Sequence, residues 1–496
     1  HDHDHDHDHD HDHNEHSDHA DYRSGVIANT GGRTRAWTLG SSWVGEQGHI
    51  GLAVSRLDNR YGLPPGAHGH NDAHDHDHDH SHGHEHGTAH LPSEHFVFID
   101  MEHSRYDLDA EWRGLASWAE KIQYRLSYSD YAHAEIEGNG SGTEGEVGTR
   151  YYNQAWQQRL QITHTDTHER HGVLGLQHSS EEFAALGAES FIPVTEIRSS
   201  GIFLIEDFHH GALTFELGGR FNHDDYSPQQ SSAPRRSFDT WSFSGSALWD
   251  LSSSTTLALA VSRAQRAPSV EELYSNFGVI DPHDCVIHFA TGSCELGRID
   301  FEEETSLNTD LTLNVELGQL ATTLTLFHNR FSDYIGQVGS GLEVDGFPVQ
   351  EYRQDNARFV GVELDSTLQL SDALSVRLFA DSVRGWFDHN GDAPRLPPLR
   401  YGMNLDFSRE AWSLNLSVLH AQAQDRPGLG EFATDGWTRI DAGADYRMLL
   451  GQRTELLFFI KARNLGNEDI RLSTSFLRKV APEAGRSLET GLRFSF

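Results

Sequence analysis

An all-β fold that crosses a membrane as an antiparallel barrel is predicted by three features of the sequence. Apolar and polar residues alternate with period two over many segments of roughly ten to fifteen residues, whereas strands of a soluble sandwich usually run about five or six. Aromatic residues lie near the ends of these segments, as rings at a membrane interface do. Short turns alternate with long polar excursions, as the two rims of a membrane barrel require.

Composition fits this class and few others. Of 496 residues 36% are hydrophobic, yet 10% are aromatic and 46 are glycine, a mixture foreign to helical membrane proteins and to disordered chains. Mean hydropathy is −0.57, and no apolar run approaches the roughly 18 residues of a membrane helix; a spanning strand needs only about ten and turns one side to lipid. The formal charge of −37 repels nucleic acid, which is excluded as a partner, and attracts small cations.

In chain order, residues 1–32 are read as a His/Asp-rich external loop and residues 33–496 as the barrel, interrupted by a second His-rich external loop at 68–90. Strands then announce themselves by alternation. Ile122, Tyr124, Leu126 and Tyr128 interleave with Gln123, Arg125, Ser127 and Ser129, and Trp241, Phe243, Gly245, Ala247 and Trp249 share one face against Ser242, Ser244 and Ser246. Leu251-Ser252-Ser253-Ser254 is a short turn, and residues 276–300 form a third external loop. Leu311, Leu313, Val315 and Leu317 alternate with Asp310, Thr312, Asn314 and Glu316; Trp412, Leu414, Leu416 and Val418 alternate with Ser413, Asn415 and Ser417. The last strand puts Leu488, Leu492, Phe494 and Phe496 on one face. Roughly 19 strands result, from near Arg33 to Phe496. Single-chain bacterial barrels close with an even number, and a barrel of this size belongs with the plugged class of about 22 strands. About three strands and a plug domain are therefore expected to be absent from this chain.

Two tracts carry a metal-binding inventory. His1, His3, His5, His7, His9, His11, His13, His16 and His19 alternate mostly with aspartate, and His68, His70, His74, His76, His78, His80, His82, His84, His86 and His90 form the second tract. Such segments cannot bury apolar area and are expected as solvated loops. Neutral imidazole suits zinc, copper and nickel, and a neighbouring carboxylate orients or supplements it. Zn2+ is the favoured ion, because reduced copper prefers sulfur and the chain has three Met and two Cys; Cu(II) and Ni remain open. An expression tag would account for the first tract but not for the internal one. Isolated strand histidines, His164, His178, His223 and His420, are read as structural.

Cys285 and Cys294 lie nine positions apart and would form a local disulfide in an oxidising envelope, or stay as reduced thiols in a cytoplasm. The loop they would close contains His288, with His283, Asp284 and Glu295 near its ends. His288 is the first candidate ligand there, against an equal expectation that it only hydrogen-bonds within the loop. His283, Glu102 and His103 are further metal candidates.

The segment Arg266-Ala267-Pro268-Ser269-Val270-Glu271-Glu272-Leu273-Tyr274 resembles a signature of TonB-dependent outer-membrane receptors. Further marks follow in the family's order: Asn356-Ala357-Arg358 with Gly361-Val362-Glu363-Leu364, Arg395-Leu396-Pro397-Pro398, Asn464-Leu465, Gly485-Arg486 and a terminal phenylalanine. With Ser275-Asn276 and His288-Phe289-Ala290-Thr291-Gly292, the chain looks like zinc-uptake receptors of the ZnuD type. The resemblance implies active import through a plugged barrel in the outer membrane, coupled to the TonB-ExbB-ExbD complex, embedded in outer-membrane lipid and inserted by the barrel assembly machinery. It carries no catalytic cofactor. Arg266, Pro268, Glu271, Glu272 and Tyr274 are expected to fix a strand-to-loop transition rather than to touch metal. Heme or siderophore import, transport of Cu or Ni, and a passive pore or surface metal buffer are the alternatives. An enzyme is disfavoured, since neither H-E-x-x-H nor G-x-S-x-G occurs.

Overall fold

The computed structural model describes residues 26–64, 95–139, 145–165, 170–187, 190–288, 291–451, 454–479 and 481–496. Ten strands come first: β1 (Gly32–Gly45), β2 (Gly48–Leu63), β3 (His95–Ala116), β4 (Ala119–Asn139), β5 (Glu146–His164), β6 (Arg170–Gly187), β7 (Thr195–His210), β8 (Leu213–Pro228), β9 (Arg236–Ser252) and β10 (Thr255–Arg266). A short helix α1 (Val270–Tyr274) and two small strands, β11 (Ile287–His288) and β12 (Ser293–Leu296), follow in a loop. The sheet resumes with β13 (Glu304–Leu317), β14 (Leu320–Val344), β15 (Phe347–Ser371), β16 (Leu374–Phe387), β17 (Arg400–Arg409), β18 (Trp412–Ala421), β19 (Trp437–Leu449), β20 (Glu455–Arg463) and β21 (Ser487–Ser495).

Setting aside β11 and β12, 19 strands among the described residues form a meander in which each is antiparallel to the next, β10 pairing directly with β13. That is the strand number read from alternation, with the first strand starting one residue before Arg33. One exception to the antiparallel rule is β12, which runs parallel to β15. The sequence did not foretell it, because only the folding back of the loop brings β12 to that edge.

Alternation becomes sidedness. Leu52, Trp156, Leu217 and Phe243 are all more than half exposed on the outer face, while Arg105, Gln157 and Ser242 face inward. A soluble sandwich would bury such residues at about 25 cal/mol per Å2; here lipid takes the place of a core on that side. Inside, Gly175 lies opposite Phe203, whose ring covers it so closely that a Cβ would sit 2.0 Å from ring carbon Cζ.

Short connections such as Gly45–Gly48 and Ser252–Thr255 lie at one rim, and the long ones lie at the other, together with the tight turn between β14 and β15. Gly32 pairs with Tyr61, so residues 26–31 lie at the long-loop rim. The largest buried apolar cluster also lies at that rim: Phe191, Ile192, Leu273, Tyr274 and Phe301 pack the loop between β10 and β13 against Tyr151 and Tyr226 of the wall.

The family-like signature builds the exit from β10. Ser269 caps α1 in a reciprocal box with Glu272, the hydroxyl accepting from the Glu272 amide and the carboxylate from the Ser269 amide. Arg266 donates to both oxygens of Glu272, at 2.9 and 3.1 Å, and to Glu304 at 3.0 Å. Tyr274, fully buried, donates to the Pro234 carbonyl at 2.9 Å. All three interactions shape the turn into the loop.

Candidate functional site

The site begins with a hairpin held from three sides. β11 and β12 pair Ile287 with Cys294 and His288 with Ser293, and a disulfide joins Cys285 to Cys294 with their Cα atoms 6.0 Å apart. Closing so short a loop removes unfolded-chain entropy equivalent to about 2 to 3 kcal/mol. Asn276, at positive φ of 49°, donates to the carbonyls of Val286 (3.0 Å) and Glu295 (2.9 Å) and accepts from the Val286 amide (2.8 Å). The parallel register of Cys294 with Val349 fastens β12 to the tall β14–β15 hairpin.

This frame presents His288 and Glu295 to one another. The imidazole Nδ1 lies 3.2 Å from Glu295 Oε1. Thr291 donates to the same oxygen at 2.7 Å, and Tyr352 donates to Oε2 at 3.4 Å. Glu295 is 5% exposed; burial pushes its carboxyl up, yet the contacts from His288, Thr291 and Tyr352 together hold it below the usual range. It is thus a buried carboxylate kept ionised by its neighbours.

The wall of β4 supplies the facing side. The His288 ring lies 4.6 Å from Phe191 and 6.3 Å from Tyr151, and Tyr151 stacks on His133 at 4.4 Å. Glu135, two residues along the same face of β4, is 2% exposed and within electrostatic reach of His288. His288, Glu295 and Glu135 therefore gather one imidazole and two carboxylates at the mouth, a donor set suited to a borderline divalent cation. Among the described residues no three His, Cys, Asp or Glu side chains yet stand in metal-holding geometry.

The sequence-based candidates separate. The tract histidines from His1 to His19 and from His68 to His90 lie outside the described residues. His288 and the cysteine pair form one unit, whereas His283 is exposed in a single 3-10 turn capped by Asp281. Glu102 and His103 point to opposite faces: Glu102 is on the outer face, paired with Arg56 at 2.9 Å, and His103 faces inward, 2.8 Å from the Ser129 hydroxyl. His178, His223 and His420 each bond to a neighbouring strand, at Ser200, Asp239 and Thr438, and His164 reaches Glu206. His133, Glu135 and Tyr352 were not singled out from the sequence. A signal existed for two of them, since Tyr131, His133, Glu135 and Glu137 share one face of a strand.

Comparison with known proteins agrees with this architecture. A family model described as TonB dependent receptor-like, beta-barrel, matches residues 7–465. An iron-regulated outer membrane virulence protein of Vibrio cholerae is 25% identical over 298 residues, a stretch covering 56% of this chain and 42% of that protein. The chain thus matches less than half of that relative's length. Among solved structures, the copper transporter OprC superposes with a TM-score of 0.73 at 16% identity, covering 94% of this chain and 72% of that one. The FrpB iron transporter from Neisseria meningitidis gives 0.69 at 12% identity, covering 95% and 74%. The ferric yersiniabactin uptake receptor FyuA from Yersinia pestis gives 0.64 at 14%, covering 94% and 71%.

Proposed function

The chain belongs to the TonB-dependent receptor β-barrel family of the Gram-negative outer membrane, and we propose that it takes up a divalent transition-metal ion, zinc before copper or nickel. The observation that carries this reading is the His288–Glu295 pair, fixed at the mouth by the Cys285–Cys294 bridge and within electrostatic reach of Glu135 on β4. Imidazole and carboxylate together suit zinc, while both cysteine sulfurs, which copper would prefer, are spent in the disulfide. In this reading the two His/Asp tracts gather the ion loosely at the surface, and His288 with Glu295 receives it. Translocation depends on a plug within the barrel and on energy from TonB-ExbB-ExbD.

Names of similar proteins supply the competing cargoes, since they include a copper transporter and iron or ferric-siderophore receptors. Uptake of labelled zinc by cells with and without the gene, under zinc limitation, decides between them. A deficit without the gene, reproduced by His288→Ala, is expected. A deficit appearing only under copper, nickel or iron limitation overturns the zinc assignment.

A further inference from the structure

Six rings form an unbroken line from the mouth down the inner wall. Centroid separations are 4.6 Å from Phe191 to His288, 6.3 Å on to Tyr151, 4.4 Å to His133, 5.5 Å to Tyr131 and 6.0 Å to His103. Imidazoles take every second place in the line. Strand register produces this order: His133 is the cross-strand partner of Tyr151, Tyr131 precedes it on the same face of β4, and His103 of β3 is the partner of Tyr131.

Below His288 the line borders a recess of about 380 Å3, whose walls include His103, Tyr131, His133 and Tyr151. Nδ1 of His133 is buried there without a hydrogen-bond partner, an arrangement that folded proteins ordinarily avoid unless a ligand or water supplies one. His103 has one nitrogen committed, Nε2 to the Ser129 hydroxyl, and with Nε2 as donor the lone pair falls on Nδ1. The charged side chains that line the recess, Arg105 and Glu181, already have partners. Arg105 holds Asp107 at 2.8 Å, and Glu181 accepts from Asn153 at 2.6 Å.

We infer that His133 and His103 form a second station for a borderline divalent cation, one step inside the barrel from His288, with water completing the coordination shell. Two protein ligands rather than four suit a place of passage, because an ion on its way through must bind well enough to enter and weakly enough to leave. The tyrosines between the histidines hold the rings at fixed spacing and keep the ion from straying along the wall. This inference rests on the reading of His288 as the receiving ligand.

Residue-level oxidation tests it despite the many tract histidines. The full chain, folded in detergent, is exposed to Cu2+, ascorbate and dissolved oxygen, the reduced copper passing electrons to oxygen so that imidazoles at the metal are oxidised, and each histidine is read by peptide mass spectrometry. Severalfold oxidation above the metal-free control is expected at His288, His133 and His103. His133→Phe, which keeps the ring stacked on Tyr151, should abolish oxidation at His103 while leaving His288 oxidised. His103→Ala should lower oxidation at His133 in the same way, a check that does not disturb the stack. Oxidation at His288 with His133 and His103 at control level, or unchanged oxidation of His103 in His133→Phe, removes the second station and leaves the receiving site intact. Control-level oxidation at all three overturns the reading of His288 as well.

Discussion

His288 and Glu295 meet 3.2 Å apart across a hairpin of two small strands, and what holds them there is the covalent bridge between Cys285 and Cys294. Removing the bridge releases the conformational freedom worth about 2 to 3 kcal/mol in that loop. A Cys285→Ala/Cys294→Ala chain should keep its barrel, since the strands do not depend on the loop. Protease cleavage within 276–300 should become faster, and zinc affinity at His288 should fall. Unchanged cleavage and affinity would show that Asn276 and the β12–β15 pairing suffice.

Acidity should act on the mouth in two stages. Glu295 has a folded pKa below its ordinary 4.5, so its contribution is present above about that value and is lost as the pH falls through the lower, folded value. An ordinary imidazole protonates at about 6.5, and a protonated one no longer ligates metal. Capture of zinc should therefore decline between pH 7 and 5 while the loop stays ordered, with loop order failing only below about 4.5. Hydrogen exchange over residues 285–295 alongside zinc binding across this range separates the stages; a loop that loosens at pH 6 contradicts the assignment.

Arg266 neutralises two nearly buried carboxylates, Glu272 and Glu304, at the exit from β10. Arg266→Ala leaves both without their cation, at a cost of about 1 to 3 kcal/mol given that Arg266 itself is partly exposed. The temperature at which the folded barrel loses its compact electrophoretic mobility should drop. No change would mean that the capping box of Ser269 and Glu272 alone secures the turn.

Deleting residues 68–90 tests the division between gathering and receiving. On the proposed reading, in which the tract raises local concentration without selecting, zinc uptake should weaken most when the ion is scarce and little when it is abundant. Equal loss at both concentrations would assign the tract a direct part in transport.

Gly175→Ala should be destabilising by about 1 to 3 kcal/mol, as overpacking usually is. Its Cβ would meet the Phe203 ring, which also receives the guanidinium of Arg159 at 4.7 Å and of Arg220 at 5.7 Å. Thermal unfolding in detergent measures the effect, and an unchanged midpoint would show the ring free to move.

Local pattern alone was enough for the strands of this chain. Leu311 or Trp241 reads as outward because a pleated strand turns alternate residues to opposite faces, and that rule needs no knowledge of neighbours. The cysteine pair and the place of His288 in the loop it closes were legible for a similar reason, since the residues concerned lie within ten positions of one another. Other relationships join residues far apart in sequence and exist only once strands are in register. Tyr352 reaches Glu295 because β12 lies along β15, and His133 approaches His288 because β4 passes beneath the loop. Glu102 and His103 were adjacent in the sequence and equal as candidates, yet the pleat sends one outward to Arg56 and the other into the ring line. Periodicity determines which face a residue takes; the register of non-neighbouring strands and the fold of the long loop decide what it meets there.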